Sequence, residues 1–284
     1  MRSGLKTSRF AGCSLDGHRP GAILPRVSEA AALLDLAESV AREAGVLLLD
    51  RFRRPATGVD SKSSATDLVS DADRDAEALI RGRLLAARPD DGLLGEEGSS
   101  VAGGSGIRWV VDPLDGTVNY LFGLPDWAVS VACEDEDGTL AGVVHIPTRG
   151  ETFTAARGAG ARLDGAPIAV SGATELASAL IATGFSYVAE VRRAQAAELA
   201  TILPSVRDIR RGGSAAVDLA SVACGRVDGF YEVGLNPWDL AAGALLVREA
   251  GGLVSRDIVA SGPALHEPLA MLVAGALAAE NSLH

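Results

Sequence analysis

The sequence is poor in cysteine, histidine and positive charge, and each shortage removes a class of protein. Its three cysteines, Cys13, Cys133 and Cys224, are scattered and odd in number. They make neither a disulfide framework nor a zinc spacing, which fits a reducing cytoplasm. The four histidines are dispersed and none falls inside a motif, which disfavours phosphohistidine and serine-triad chemistry. Lysine and arginine number 26 against 37 acids, a formal charge of −11. That balance argues against an extended nucleic-acid footprint, but not against an anionic substrate, because bound cations dominate a local field. No apolar run approaches the length of a membrane span. The glycines of the Ser99–Gly106 loop precede no helix, so a dinucleotide-binding reading fails.

What remains is a chain of 284 residues, long enough to bury a sizeable core as one large domain or two packed halves. Residues 1–26 stand apart: Arg2, Lys6, Arg9, Arg19 and Arg26 face one acid, Asp16, and no apolar core of a secretory signal is present. This stretch is expected to be a disordered basic tail or an over-called start. From Ser28 a helix is marked by Leu33, Leu34, Ala37, Val40, Ala41, Ala44, Leu47 and Leu48 on one stripe. Thr66-Asp67-Leu68-Val69-Ser70-Asp71-Ala72-Asp73 leads into a second helix ending before Pro89, which Asp71 or Asp73 could cap. Lys62, just upstream, reads as a solvated loop charge.

Runs at Ala128–Cys133, Leu140–Ile146, Thr152–Ala156 and Ile168–Val170, separated by acidic or glycine turns, predict an antiparallel meander. From Leu180 the pattern alternates strand and helix: Leu180–Thr183, Val188–Leu203, Ser214–Cys224, Gly229–Val233, Trp238–Ala250 and a last strand at Met271–Ala274. The switch places a boundary near residue 172. It divides an N-terminal α+β half, 27–172, from a C-terminal α/β half, 173–284.

Three acidic segments carry the chemistry. In Trp109-Val110-Val111-Asp112-Pro113-Leu114-Asp115-Gly116-Thr117-Val118-Asn119-Tyr120, an apolar strand reaches Pro113, which is expected to end it. A bend there can aim Asp112 and Asp115 into one cleft, where Gly116 and Thr117 bring N–H groups and a hydroxyl. An Asp-Pro turn with a capping Asp is the plainer alternative. Leu94-Gly95-Glu96-Glu97-Gly98 supplies a carboxylate pair that could otherwise be a solvated turn. Asn236-Pro237-Trp238-Asp239 places an Asp just inside a helix opened by proline, where it could merely favour the helix dipole. Together Glu96, Asp112, Asp115 and Asp239 form an all-oxygen donor set, which favours Mg²⁺ over Zn²⁺.

These segments, in this order and spacing, resemble the signatures of the inositol monophosphatase family. That family lies within the Mg²⁺-dependent, lithium-sensitive phosphatases that include fructose bisphosphatases. The resemblance runs from about Val27 to the C-terminus and takes in Glu249-Ala250-Gly251-Gly252. It implies a layered α-β-α-β-α sandwich with the active site between the halves, and a homodimer. It assigns one metal ion to Glu96, Asp112 and the Leu114 carbonyl, and a second to Asp112, Asp115 and Asp239. A third, weaker ion would rest near Glu96 through waters, giving two to three Mg²⁺ per site. Thr117 and Asp73 would orient the attacking water and accept its proton. Gly116 and Thr117 N–H groups, with Asp115 and Asp239 close by, would receive the phosphate end. No phosphoenzyme is implied, and Asp112 and Asp115 are spaced one residue too widely for a nucleophilic Asp-x-Asp arrangement.

For the substrate, the resemblance implies that Gly213, Ser214 and Ala215, in Arg210-Arg211-Gly212-Gly213-Ser214-Ala215-Ala216, touch the substrate ring. A glycine hinge with Ser214 as N-cap explains the same residues. Glu232 would accept hydrogen bonds from ring hydroxyls, and that match points to an inositol monophosphate. The chain departs from familiar members at Gly212-Gly213 and at Asn236-Pro237, both beside the substrate pocket. Histidinol phosphate, fructose 1,6-bisphosphate and a 3′-phosphoadenosine nucleotide remain as alternative substrates. A regulatory binding protein of the same fold is an alternative of another class.

Overall fold

A computed structural model describes residues 23–61, 68–255 and 259–281. Residues 1–22, which hold most of the expected tail, lie outside the described residues, as do Lys62, Thr66 and Asp67. Helix α1 spans Ile23–Arg51 and so begins before the expected Ser28. A short antiparallel pair follows, β1 (Asp60–Ser61) and β2 (Leu68–Val69). Helix α2 (Asp71–Ala87) comes next and stops before Pro89, where the missing N–H and the ring forbid continuation.

The first large sheet holds β3 (Gly92–Gly95), β4 (Ser100–Val101), β5 (Arg108–Asp115), β6 (Ala128–Asp135), β7 (Gly138–Ile146), β8 (Glu151–Ala156), β9 (Ala161–Leu163) and β10 (Ala166–Pro167). Its order is β10-β9-β8-β7-β6-β5-β3-β4, antiparallel except for the parallel pair β3–β5. A short helix, α3 (Thr117–Leu121), follows β5. The second sheet holds β11 (Leu180–Thr183), β12 (Asp208–Arg210), β13 (Gly229–Tyr231), β14 (Leu253–Val254) and β15 (Val259–Ser261), ordered β12-β11-β13-β15-β14. Here β12, β11 and β13 run parallel, and β15 lies antiparallel to β13. Between these strands come α4 (Ala189–Ile202), α5 (Ala215–Ala223) and α6 (Pro237–Glu249), and α7 (Pro263–Asn281) closes the described chain.

Period-two alternation along the strands sets the layers. On β5, Trp109 and Val111 face α1 and α2, where Leu33, Ala37, Ala41, Ala44, Leu48 and Ile80 meet them. Val110, between them, faces the opposite way and packs with Leu219, Ala242 and Leu246 of α5 and α6. Those helices carry the far side of the same cluster onto Ala182, Phe230 and Ala260 of the second sheet. The outer face of that sheet is covered by Ile202 of α4 and by Leu265, Leu269 and Val273 of α7. The stack is therefore α-β-α-β-α, with α5 and α6 as the middle layer shared by both sheets. Among the described residues no helix is long and apolar enough to cross a membrane.

Three local expectations are corrected. Strand β5 does not stop at Pro113: pairing resumes at Asp115 after a register shift, three steps from Asp112 against two from Ser130 to Ala128 on β6. In such a bulge no ladder bond is asked of the proline nitrogen, so Pro113 is tolerated. Ile168–Val170 is not a strand, because its backbone is divided between two partners: Ile168 N–H donates to Ala161 O and Val170 N–H to Ala250 O. Met271–Ala274 lies inside α7. Ala270, Ala274 and Ala276 favour helix there, and Pro263 opens the helix at the position where proline costs least, while Pro268 lies inside it.

Candidate active site

Strand ends from both large sheets and helix starts converge on one cavity of about 290 Å³. The carboxyl ends of the parallel neighbours β3 and β5 deliver Glu96, Asp112 and Asp115 to it. Those of β11 and β13 deliver Gly184 and Glu232. This is the usual location for a ligand beside parallel strands. The N-termini of α5 and α6, in the shared middle layer, bring Ser214, Ala215 and Asp239, and their dipoles favour an anion there.

The bulge at Pro113 explains how two aspartates three residues apart reach the same space. Asp112 Oδ1 accepts the Leu114 N–H at 3.0 Å, which ties the carboxylate to its own turn. Glu96 is in hydrogen-bonding reach of Asp112. Asp115 Oδ2 accepts from Ser214 Oγ and from the Ala216 N–H, both at 2.6 Å, and so joins the end of β5 to the start of α5. Ser214 also accepts the Val217 N–H at 3.2 Å as the α5 N-cap, so the capping reading and the site reading hold together. Asp239 Oδ2 accepts the Asn236 N–H at 2.7 Å across the first turn of α6. Gly116 is the N-cap of α3 at φ 93°, a conformation that favours glycine, and a Cβ there would stand 2.9 Å from Asp126 O.

Asp73 does not line the cavity; it stands behind Thr117. The Thr117 hydroxyl lies 2.9 Å from Asp73 Oδ1 and 3.0 Å from Leu114 O, as donor to either. Asp73 Oδ2 accepts the Ser70 N–H at 2.9 Å and Ser70 Oγ at 2.6 Å. The α2 N-cap is thus Ser70, and Asp73 closes a capping box while also reaching the site.

Crowded acids set the electrostatics. Burial pushes Asp112 well above the usual carboxylate range, with Glu96, Asp115 and Asp239 adding like charge. Asp115 and Asp239 are each pushed up to about 7, chiefly by burial, although the bonds from Ser214 and Ala216 pull Asp115 back. Burial raises Glu232 to about 7 against the opposing pull of Arg211. Asp218, on α5 beneath Gly212, reaches about 8 through burial and then the charge of Asp115. Arg211 is the single cation among the described cavity-lining residues.

All the sequence-predicted metal and substrate residues line this one cavity: Glu96, Asp112, Leu114, Asp115, Gly116, Thr117, Gly213, Ser214, Ala215, Glu232 and Asp239. The donor set is oxygen throughout, and like charge around it helps to raise Asp112, Asp115 and Asp239, a repulsion that a divalent cation would relieve. As they stand, no three acidic, histidine or cysteine side chains among the described residues converge closely enough to hold an ion. Asp115 and Asp239 accept their hydroxyl and backbone bonds at Oδ2, and a carboxylate can accept at one oxygen while ligating through the other. Sequence reasoning missed Gly184, Phe185, Tyr187 and Leu235 in the lining. Of these only Gly184 carried a signal, as a glycine directly after a strand. A Cβ there would overlap the Glu232 carboxylate.

Comparison with known proteins gives a consistent result. The profile of the inositol monophosphatase family matches residues 29–281. The chain is 42% identical over 225 residues to the Nus factor SuhB of Escherichia coli K12, covering 78% of this chain and 84% of that one. It is also 42% identical over 245 residues to an inositol-1-monophosphatase of Mycobacterium bovis, covering 80% and 84%. The crystal structure of the extragenic suppressor protein suhB of Bartonella henselae superposes with a TM-score of 0.81 at 40% identity, over 85% of this chain and 98% of that one. The Thermotoga maritima IMPase superposes with a TM-score of 0.80 at 32% identity, over 88% and 99%.

Proposed function

Because the chain belongs to the inositol monophosphatase family, we propose that it hydrolyses a small phosphate monoester, inositol 1-monophosphate before others, to the alcohol and phosphate. The observation that carries the reading is the gathering of Glu96, Asp112, Asp115 and Asp239 around one cavity with Thr117 at its wall. Glu96, Asp112 and the Leu114 carbonyl would hold one Mg²⁺, and Asp112, Asp115 and Asp239 a second. When bound, the ions supply positive charge that acidifies a water and stabilises the leaving alkoxide.

The remaining steps belong to the protein's own groups. The Thr117 hydroxyl gives its proton to Asp73, which leaves the Thr117 oxygen free to accept from the attacking water. Asp73 is held for that task by its two bonds from Ser70. The Gly116 and Thr117 N–H groups are assigned the phosphate oxygens. Gly213, Ser214, Ala215 and Glu232 take the alcohol, and Glu232 accepts from its hydroxyls when ionised. Assembly as a homodimer and residence in the cytoplasm belong to the same proposal and rest on the family resemblance.

A second reading, a regulatory binding protein, is favoured by the name Nus factor carried by relatives such as that of E. coli. The complete carboxylate set favours the enzyme, since a binding role alone would not require four acids gathered at one cavity. A phosphate-release screen tests this over inositol 1-monophosphate, histidinol phosphate, fructose 1,6-bisphosphate, a 3′-phosphoadenosine nucleotide and glycerol 2-phosphate. Highest kcat/KM on inositol 1-monophosphate is expected. Preference for histidinol phosphate would overturn the inositol assignment, and no release from any would favour the regulatory reading.

A further inference from the structure

We propose that Glu77 is a positioning residue that aims Glu96 into the cavity, so that Mg²⁺ affinity depends on a carboxylate that never touches the ion. The inference rests on the metal-dependent reading above. Glu77 lies on α2 and is 4% exposed. It makes no ion pair among the described residues and is satisfied by backbone. Its Oε2 accepts the Glu97 N–H at 2.8 Å, and its Oε1 accepts the Ser99 N–H at 3.1 Å. Those donors bracket the turn through Gly98, at φ 98°, and the Gly95 N–H closes the same turn onto Ser99 O at 2.7 Å. Glu96 N–H in turn donates to Val111 O of β5 at 3.2 Å. The backbone on the far side of Glu96 is thus pinned by Glu77, and on the near side by the sheet.

Gly95 shows how closely the fit is made. A Cβ at that position would stand 2.7 Å from Cδ of Glu77, so the carboxylate occupies the space a side chain would fill. Residue 77 also sits one helical turn beyond Asp73, on the same face of α2. That face therefore holds two arms of the cavity at once, Thr117 through Asp73 and Glu96 through Glu77. The buried Ala76 and Ile80 beside it fix the helix in the core. Partners that orient a metal ligand change metal affinity by about 10–100-fold when they are replaced.

The test uses the full chain, stripped by chelation, as wild type, Glu77→Gln, Gly95→Ala and Ile80→Val. Glu77→Gln keeps the shape but presents an NH₂ to one of the two N–H donors. Gly95→Ala leaves Glu77 in the sequence and displaces it. Ile80→Val loosens α2 without touching the turn. Each protein is titrated with Mg²⁺, reading both the rise in Tm and the rate of phosphate release. Glu77→Gln and Gly95→Ala are expected to shift both half-saturation points upward by about 10–100-fold, with most of kcat recovered at saturating Mg²⁺. Ile80→Val is expected to lower the metal-free Tm and leave both half-saturation points where they were. Wild-type half-saturation in either folded turn variant, or an equal shift in Ile80→Val, would overturn the inference. A wild type with no Mg²⁺ response in Tm or rate would instead overturn the metal-dependent reading, and this inference with it.

Discussion

Thr117 has one hydroxyl proton and two acceptors at bonding distance, Asp73 Oδ1 and Leu114 O. Either bond leaves lone pairs on its oxygen, and only the bond to Asp73 links that oxygen to a group able to take a proton away. Thr117→Ala is therefore expected to lower kcat by about 10²–10⁴-fold with little change in KM, the range of general acid–base contributions. Steady-state kinetics on the preferred ester checks this, and an unchanged kcat would move the water-orienting role off Thr117. At this scale the acids that line the cavity were legible, because each lies in a short segment with its own turn residue: Gly95 before Glu96, Pro113 after Asp112, Pro237 before Asp239. Glu77 was not, since a single glutamate on a helix looks like a solvated position until the turn that covers it is in place. Phe185 and Tyr187 were hidden for a related reason: nothing adjacent in sequence shows that the end of β11 meets the ends of β3 and β5.

Elements carry the site because their ends are joined by side chains. Ser214 caps α5 through Val217 N–H and donates to Asp115, so one hydroxyl couples the middle helix layer to the β5 bulge. Ser214→Ala should destabilise the chain by about 1 kcal/mol, the usual cost of losing an N-cap. Urea unfolding with an unchanged m-value would show it, and unaltered stability would mean that water replaces the cap. Strand and helix runs in the sequence located most of the elements, and the apolar stripe of α1 gave its buried face. Leu33, Ala37, Val40, Ala41, Ala44 and Leu48 are buried, and Leu34 and Leu47 half-buried at the edge. The failures came where pairing decides structure. β14 and β15 are two and three residues long and exist through their partners. The apolar run in α7 read as a strand because periodicity does not separate a short buried helix segment from a strand.

Across the whole molecule, the two sheets share α5 and α6, and the cavity sits where that shared layer begins. Acids buried there give a pH dependence of definite sign. Asp218 at about 8 and Glu232 at about 7 are both raised by burial, as are Asp115 and Asp239. Between pH 8 and 6 the folded chain binds protons that the unfolded chain does not, so this contribution to stability is present at low pH and lost as pH rises through 7–8. Glu151, held below its usual range by Arg226, acts in the opposite sense only at lower pH. His145 and His266, held below the usual imidazole range by burial, oppose this inside the same interval, but the four raised acids outnumber them. The metal-free Tm should therefore rise from pH 8 to pH 6, and Asp218→Asn should flatten part of that slope. Added Mg²⁺ should reverse the trend, because carboxylate ligands bind as anions. A metal-free Tm that falls over this interval would contradict the burial described for these acids. The layer order itself was not readable from periodicity, which shows a face and not what covers it; family resemblance supplied it.

Phosphate release from inositol 1-monophosphate by the chelated protein, before and after Mg²⁺ is restored, tests the central claim most directly, with Asp112→Asn measured beside the wild type. Asp112 faces both proposed ions, and asparagine keeps its size while removing its charge. The expected result is no release without Mg²⁺, release on restoring it to the wild type, and none from a folded Asp112→Asn at any Mg²⁺ concentration. Full activity in the thoroughly chelated wild type, or Mg²⁺-dependent activity that survives Asp112→Asn, would contradict the account.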